Sequence, residues 1–201
     1  MMGELRPLIN SFFIFLDSNY VFNFILAKSV SSDVKYIDLY KLNLCGCRVC
    51  LVCKRDEDIC KCYWRDELSP LLDEIYKSDC LLIGVPIFFV NPTSHYMAFL
   101  ERLIFSIVSY KTGNKFKGKI NVGLFYCIEY PKDYFEESIR PHIKQSEDLL
   151  KMFNGEVVID VFSNMPKNIY STLSEEEIKL KEEELKKDLN RAFEIGVQLS
   201  K

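Results

Sequence analysis

The sequence predicts an α/β fold, a parallel sheet covered by helices on both faces. The first observation is five short apolar runs of strand character: "RPLINSFF" (6–13), "VKYIDL" (34–39), "CLLIGVPIFF" (80–89), "INVGLFYC" (120–127) and "EVVIDVF" (156–162). The second is that segments of helical spacing fall between and after them, at 18–31, 67–78, 93–109, 133–153 and 174–199. Strands alternating with helices imply parallel pairing with crossover helices. The third is that runs three and four are nearly continuous in apolar residues, which suits strands buried on both faces. No internal repeat, low-complexity linker or composition break divides the 201 residues, so one domain over 1–201 is expected, with a cysteine-rich loop at 44–66.

The stretch from Leu8 to Ala27 is apolar, yet Asp17, Ser18 and Asn19 sit in its middle. Burying that aspartate in hydrocarbon would cost about 2.5–3.5 kcal/mol. The preceding "MMGELRP" lacks the basic charge of a secretion signal. This segment therefore reads as core, with no membrane partner and a cytoplasmic, reducing compartment in which structural disulfides are not expected. The net charge is −3, and Lys and Arg are spread along the chain. Nucleic acid is excluded as the main partner, because phosphate binding needs a concentrated basic face.

After the third strand, "GVPIFFVNPTSHYMAFLERL" (84–103) runs through Pro86, Phe88 and Phe89 into a helix beginning near Thr93 or Ser94. Parallel sheets bind ligands at the carboxyl ends of their strands, so a planar ligand is expected here, against backbone amides and a helix N-terminus. The last helix opens with "SEEE", where Ser174 and Glu177 make a capping box. Leu185, Leu189, Phe193 and Val197 are its expected packing stripe, and the Glu/Lys run from Glu175 to Lys187 its wet side.

Six of the eight cysteines lie in "LCGCRVCLVCKRDEDICKC" (44–62). Cys47, Cys50 and Cys53 form C-x2-C-x2-C, and a fourth thiol follows at Cys60 or Cys62. That spacing in a tight loop can turn its sulfurs toward one point, as a [4Fe–4S] cluster requires. Zinc and plain thiols are the alternatives, although zinc motifs usually use two separated pairs. Cys80 and Cys127 fall in strands and read as small buried residues.

"IGVPIFFVNPTSHYMAFLERL" and "YIDLYKLNLCGCRVCLVCK" together resemble the signatures of the flavodoxin-like NAD(P)H-dependent FMN reductases, including the iron–sulfur flavoproteins. The resemblance covers most of the chain. It implies a flavodoxin-like three-layer sandwich with a five-stranded parallel sheet in the order 2-1-3-4-5. It implies that Pro86, Ile87, Phe88, Phe89, Val90 and Asn91 contact the isoalloxazine of FMN, with NAD(P)H as co-substrate. Cys47, Cys50, Cys53 and Cys62 would hold the possible [4Fe–4S] cluster, with Cys60 as the alternative fourth ligand. The helix after Asn91 would lie in the interface of a homodimer or homotetramer. Glu101 and Arg102 match the family's acid–Arg pair and read as a surface or interface ion pair; His95 reads as a polar residue at the helix start.

Two loops depart from the family pattern. The first, "NSFFIFLDSNYVF", keeps Ser11, Ser18 and Asn19 for the FMN phosphate but lacks the usual Gly and Arg. The fourth-strand loop, "YCIEYPKDY", has no glycine; there Tyr126 or Tyr130 can stack on the ring or serve as core or rim. No side-chain acid or base is required, since flavin carries the chemistry. The functional expectation is an FMN-dependent oxidoreductase passing electrons from NAD(P)H to a small-molecule or redox-protein acceptor. Its alternatives are an iron–sulfur flavoprotein acting in electron transfer, and a flavin-less binding or assembly member of the fold.

Overall fold

The structure is a computed structural model that describes residues 10–15, 33–163 and 174–200. The expected helix at 18–31, with Ser18 and Asn19, lies outside the described residues. The described strands are β1 (Asn10–Phe15), β2 (Asp33–Asp38), β3 (Cys80–Phe88), β4 (Asn91–Pro92), β5 (Val108–Ser109), β6 (Gly113–Asn114), β7 (Ile120–Ile128) and β8 (Asn154–Ser163). The main helices are α1 (Leu68–Ile75), α2 (Ser94–Phe105), α3 (Arg140–Asp148) and α4 (Glu175–Leu199).

The main sheet is mixed. Its long strands lie in the order β2-β1-β3-β7-β8 and pair in parallel, while β4 folds back antiparallel on the end of β3. β5 and β6 form a separate two-stranded ribbon. The central strand β3 is buried from Cys80 to Ile87, as its unbroken apolar sequence requires. Side chains alternate across it. Leu81, Ile83 and Val85 join Leu72, Phe99 and Leu103 on one face, whereas Cys80 and Leu82 join Phe125, Phe162 and α4 on the other. At the β7–β8 edge, a Cβ on Gly155 would lie 2.0 Å from the Ile120 carbonyl oxygen, so only glycine fits there.

The capping box of α4 forms as the sequence indicates: Glu177 N–H donates to Ser174 Oγ (3.3 Å) and Ser174 N–H to Glu177 Oε2 (2.8 Å). Its packing stripe differs from the expected one. Ala192, Ile195 and Leu199 are buried, with Leu185 and Leu189 beside them, while Phe193 is exposed. Four-residue steps overshoot a 3.6-residue turn by roughly 40° each. A stripe held at that spacing therefore drifts off the sheet, and three-residue steps restore it. The expected helix at 133–153 is a composite, with a π segment at Phe135–Ile139 before α3 and a 3-10 turn at Leu149–Phe153 after it. Pro141 has no N–H to give to the preceding turn, and the chain widens immediately upstream of it. Among the described residues no helix is long and apolar enough to cross a membrane.

Candidate functional site

β3 ends at the sheet's carboxyl edge in a two-residue hairpin. Phe88 pairs with Asn91, and Ile87 with Pro92. The two residues between them, Phe89 and Val90, have φ of 49° and 59°. Positive φ at both central positions is the signature of a type I′ turn, a position normally given to Asn and Gly. A phenylalanine and a β-branched valine are strained there. Asn91 steadies the turn by donating from Nδ2 to the Phe89 carbonyl (3.0 Å). The strain holds apolar side chains in solvent: Phe89 is 92% exposed, with Phe88 and Val90 also exposed. Pro86 and Ile87 are buried behind them. Thr93 then caps α2, accepting from Tyr96 N–H (3.3 Å).

The other expected ring contacts fall elsewhere. Ser11 lies on β1. Tyr126 is fully buried, its ring against Phe135 (5.3 Å), so it is a core residue and no stacking platform. Strand parity explains this, because Tyr126 shares its face of β7 with the buried Leu124 and Ile128. Its hydroxyl and that of Tyr96 are buried beside the Glu147 carboxyl. Burial raises the Glu147 carboxyl above its ordinary range, and Arg140, 3.4 Å from Oε2, only partly offsets it. His95 packs its ring on Tyr40 at 4.4 Å.

From the hairpin, α2 and the 142–149 segment flank a wide, open groove with two lobes of about 540 and 520 Å³, the first of mixed character and the second apolar. Asn91 and Met97 line one end; Ile104, Val49 and Tyr110 line the other. These volumes fall in the range of small-molecule sites.

The cysteine loop packs against the far end of that groove. Its six thiols are free. Cys47, Cys50, Cys53 and Cys62 line one small cavity, together with Arg48, Trp64 and Arg102. They surround a space and do not meet at a point. Among the described residues no three His, Cys, Asp or Glu side chains are placed to hold a metal ion. The cavity measures about 20 Å³, room for about one water molecule. The set Cys47, Cys50, Cys53 and Cys62, expected for a cluster, is therefore not assembled as a metal site among the described residues. Cys60, the alternative fourth ligand, does not line that cavity, and both it and Cys62 pack against the core.

Buried cations do the bracing that a metal would do. Arg102, expected as a surface or interface ion pair with Glu101, is 1% exposed. All five of its N–H donors are used. Nη1 binds Asp66 and the Cys45 carbonyl (3.3 Å), Nη2 binds Ser69 Oγ (2.6 Å) and Cys62 Sγ (3.3 Å), and Nε binds Cys62 Sγ (3.4 Å). Burial works to raise the Asp66 carboxyl, but the Arg102 guanidinium outweighs it and holds Asp66 below the usual range. Glu101 accepts from Cys47 N–H (3.0 Å) and lies so close over Gly46 that a Cβ there would be 2.6 Å from it. Lys115, 3% exposed, donates to the carbonyls of Cys53 (2.6 Å) and Asp56 (3.0 Å). Lys54 donates to those of Phe105 and Val108.

No described protein family and no curated protein matches the sequence. Solved structures do resemble this one. An NAD(P)H:quinone oxidoreductase from Methanothermobacter marburgensis superposes with a TM-score of 0.68 at 12% identity, over 97% of this chain and 98% of its own. An azoreductase from Bacillus anthracis gives 0.65 at 12% identity, over 95% and 100%. General stress protein 14 of Treponema denticola, solved in complex with FMN, gives 0.57 at 13% identity, over 94% and 99%. Likeness at this level of identity establishes the fold, which is the flavodoxin-like α/β fold.

Proposed function

We propose that the protein is an FMN-dependent oxidoreductase that takes electrons from NAD(P)H and passes them to a small-molecule or redox-protein acceptor. The observation that carries this reading is the strained hairpin at Phe88–Asn91. Two left-handed apolar residues at the carboxyl edge of the sheet are costly to folding and useless to the core, and they present flat apolar surface where a planar ring would lie. The names of the superposing structures, an NAD(P)H:quinone oxidoreductase, azoreductases and an FMN complex, favour the same chemistry. Bound FMN would accept a hydride and relay its electrons. The chain's part is to position the ring: Pro86 and Ile87 anchor the hairpin, Asn91 fixes its turn, and Phe88, Phe89 and Val90 exclude water. The apolar groove along α2 supports pairing of two chains across that face, with a homodimer or homotetramer as the working form.

Titration of the purified protein with FMN, followed by flavin absorbance and fluorescence, tests the proposal. A red-shifted, quenched flavin and FMN-dependent oxidation of NADH or NADPH are expected. Added FMN with an unshifted spectrum would refute it, and light scattering gives the oligomer independently.

A further inference from the structure

We propose that the rim of the cysteine cavity is a lipid-docking surface, by which the protein lies on anionic membranes without crossing them. Leu51 is held at φ 58° and is exposed, so it bears backbone strain and hydrated apolar surface together. Neither the hairpin nor the groove along α2 accounts for it, because Leu51 borders the cysteine cavity and not the groove. Tyr63 and Trp64 border the same cavity and are exposed beside it. Two cations stand over their rings: the Arg48 guanidinium lies 5.3 Å from the Trp64 centroid, and Lys61 Nζ lies 5.6 Å from that of Tyr63. An aliphatic tip flanked by Trp, Tyr and long cationic side chains is the composition of a membrane-interface anchor.

Charge selects the lipid. The chain carries a net −3, yet over residues 48–65 Arg48, Arg55 and Arg65 are exposed against one exposed carboxylate, Asp58. The other charges of this stretch are engaged or half-buried. Lys54 turns inward to the Phe105 and Val108 carbonyls, Lys61 pairs with Asp73 at 3.4 Å, and Asp56 and Glu57 are half-buried. Anionic headgroups complement that surface. A protein partner fits it less well, since covering the Trp64 face would strip water from the Arg48 guanidinium above it. The headgroup layer is wet and rich in phosphate, so the guanidinium keeps its water or gains a phosphate while the ring rests at the boundary. The absence of a membrane partner expected from the sequence concerns a spanning segment, which a surface contact does not need. This inference does not depend on flavin binding.

Trp64 is the chain's one tryptophan, so its emission reports this surface alone. The test mixes the purified protein with vesicles of phosphatidylcholine, alone or with a quarter of phosphatidylglycerol, and reads sedimentation beside Trp64 fluorescence. Sedimentation with the anionic vesicles and a blue-shifted Trp64 are expected, both lost in high salt. Leu51→Asn removes the apolar tip and suits a left-handed backbone, so it keeps the fold. Leu51→Asn and Arg48→Gln should each weaken vesicle binding about fivefold, the loss of one partly buried leucine or of one cation at an anionic surface. Anionic vesicles that neither sediment the protein nor shift Trp64 would overturn the proposal and leave a protein as the occupant. Sedimentation without a Trp64 shift would overturn it as well, since another surface would then be docking. A Trp64 shift that grows with protein concentration and needs no lipid would do the same, by showing a second copy on this rim. Equal binding to the neutral vesicles, or unchanged binding by both folded variants, would also refute it.

Discussion

Replacing Phe89 and Val90 by Asn and Gly tests whether the hairpin is built for a ligand or for the fold. Both residues hold left-handed backbone, at φ 49° and 59°. Each non-glycine residue so held costs about 1–3 kcal/mol. Taking a value near 1.5 for each gives roughly 3 kcal/mol of stored strain. Asn-Gly is the preferred pair for this turn, although the new glycine returns about 0.5–1 kcal/mol of backbone entropy to the unfolded chain. Phe89, 92% exposed, has almost no packing to lose, and Val90, 41% exposed, gives up only a small side chain's contacts. The net expectation is stabilisation by about 2 kcal/mol, which raises Tm by roughly 4–8 °C in a chain of this size. Differential scanning calorimetry reads the first effect and FMN titration the second: affinity should fall at least about tenfold as the apolar tip is lost. A Tm that stays level or drops would refute the reasoning, showing that the two side chains are covered in the protein as it folds.

Three other outcomes follow from the buried polar groups. Glu147 has a folded pKa raised above its unfolded value, so the native state binds more protons than the unfolded one once pH rises above about 4.5. Its contribution to stability is present below the unfolded pKa and is lost as pH climbs through the folded value. Glu147→Gln, which mimics the protonated form, should therefore gain on the wild type in urea unfolding as pH is raised from 4.5 to 8, and a constant difference would contradict this. Arg140 is not orphaned by the change, since it also binds Glu136 at 2.8 and 2.9 Å. Lys115→Met leaves two carbonyls without their donor and should cost about 1–3 kcal/mol in denaturant unfolding. Gly46→Ala should displace Glu101 from the Cys47 N–H at a cost of about 1 kcal/mol, and in Glu101→Ala the same change should cost almost nothing.

Periodicity made much of the sheet legible. The unbroken apolar run at 80–89 is the doubly covered β3, and Ser174 with Glu177 marks the start of α4 because a capping box is a local signal. The start of α2 near Thr93 or Ser94 was equally local, and Thr93 is its cap. The hairpin was not legible, since Phe and Val are the wrong residues for a left-handed turn and a turn is read from its residues. Of the two readings of Tyr126, ring platform or core, strand parity already pointed to the second by putting it with Leu124 and Ile128. Arg102 shares the inward face of α2 with Phe99, three residues earlier, and that spacing was the available sign that its charge is buried. Its acceptors lie 33 to 57 residues away, at distances no local pattern encodes.

The strained positions bear on what the α2 face is for. Among the described residues five non-glycine residues have positive φ. One, Asn154, is an ordinary left-handed cap after the 3-10 turn at Leu149–Phe153. The other four, Val49, Leu51, Phe89 and Val90, are large apolar residues, and all four are exposed. Each therefore bears two costs, backbone strain and hydrated apolar surface, where a glycine or asparagine would bear neither. Val49 lines one end of the groove along α2 and the hairpin stands at the other. A chain tuned only for folding would have no reason to hold four such side chains in solvent, Val49 in the groove, Leu51 at the cysteine cavity and two at the hairpin tip. A chain that covers this face when it works recovers both costs, through burial by a planar ligand at the hairpin and by a second chain along the helix. The strain is thus what the proposed function would lead one to expect of this face.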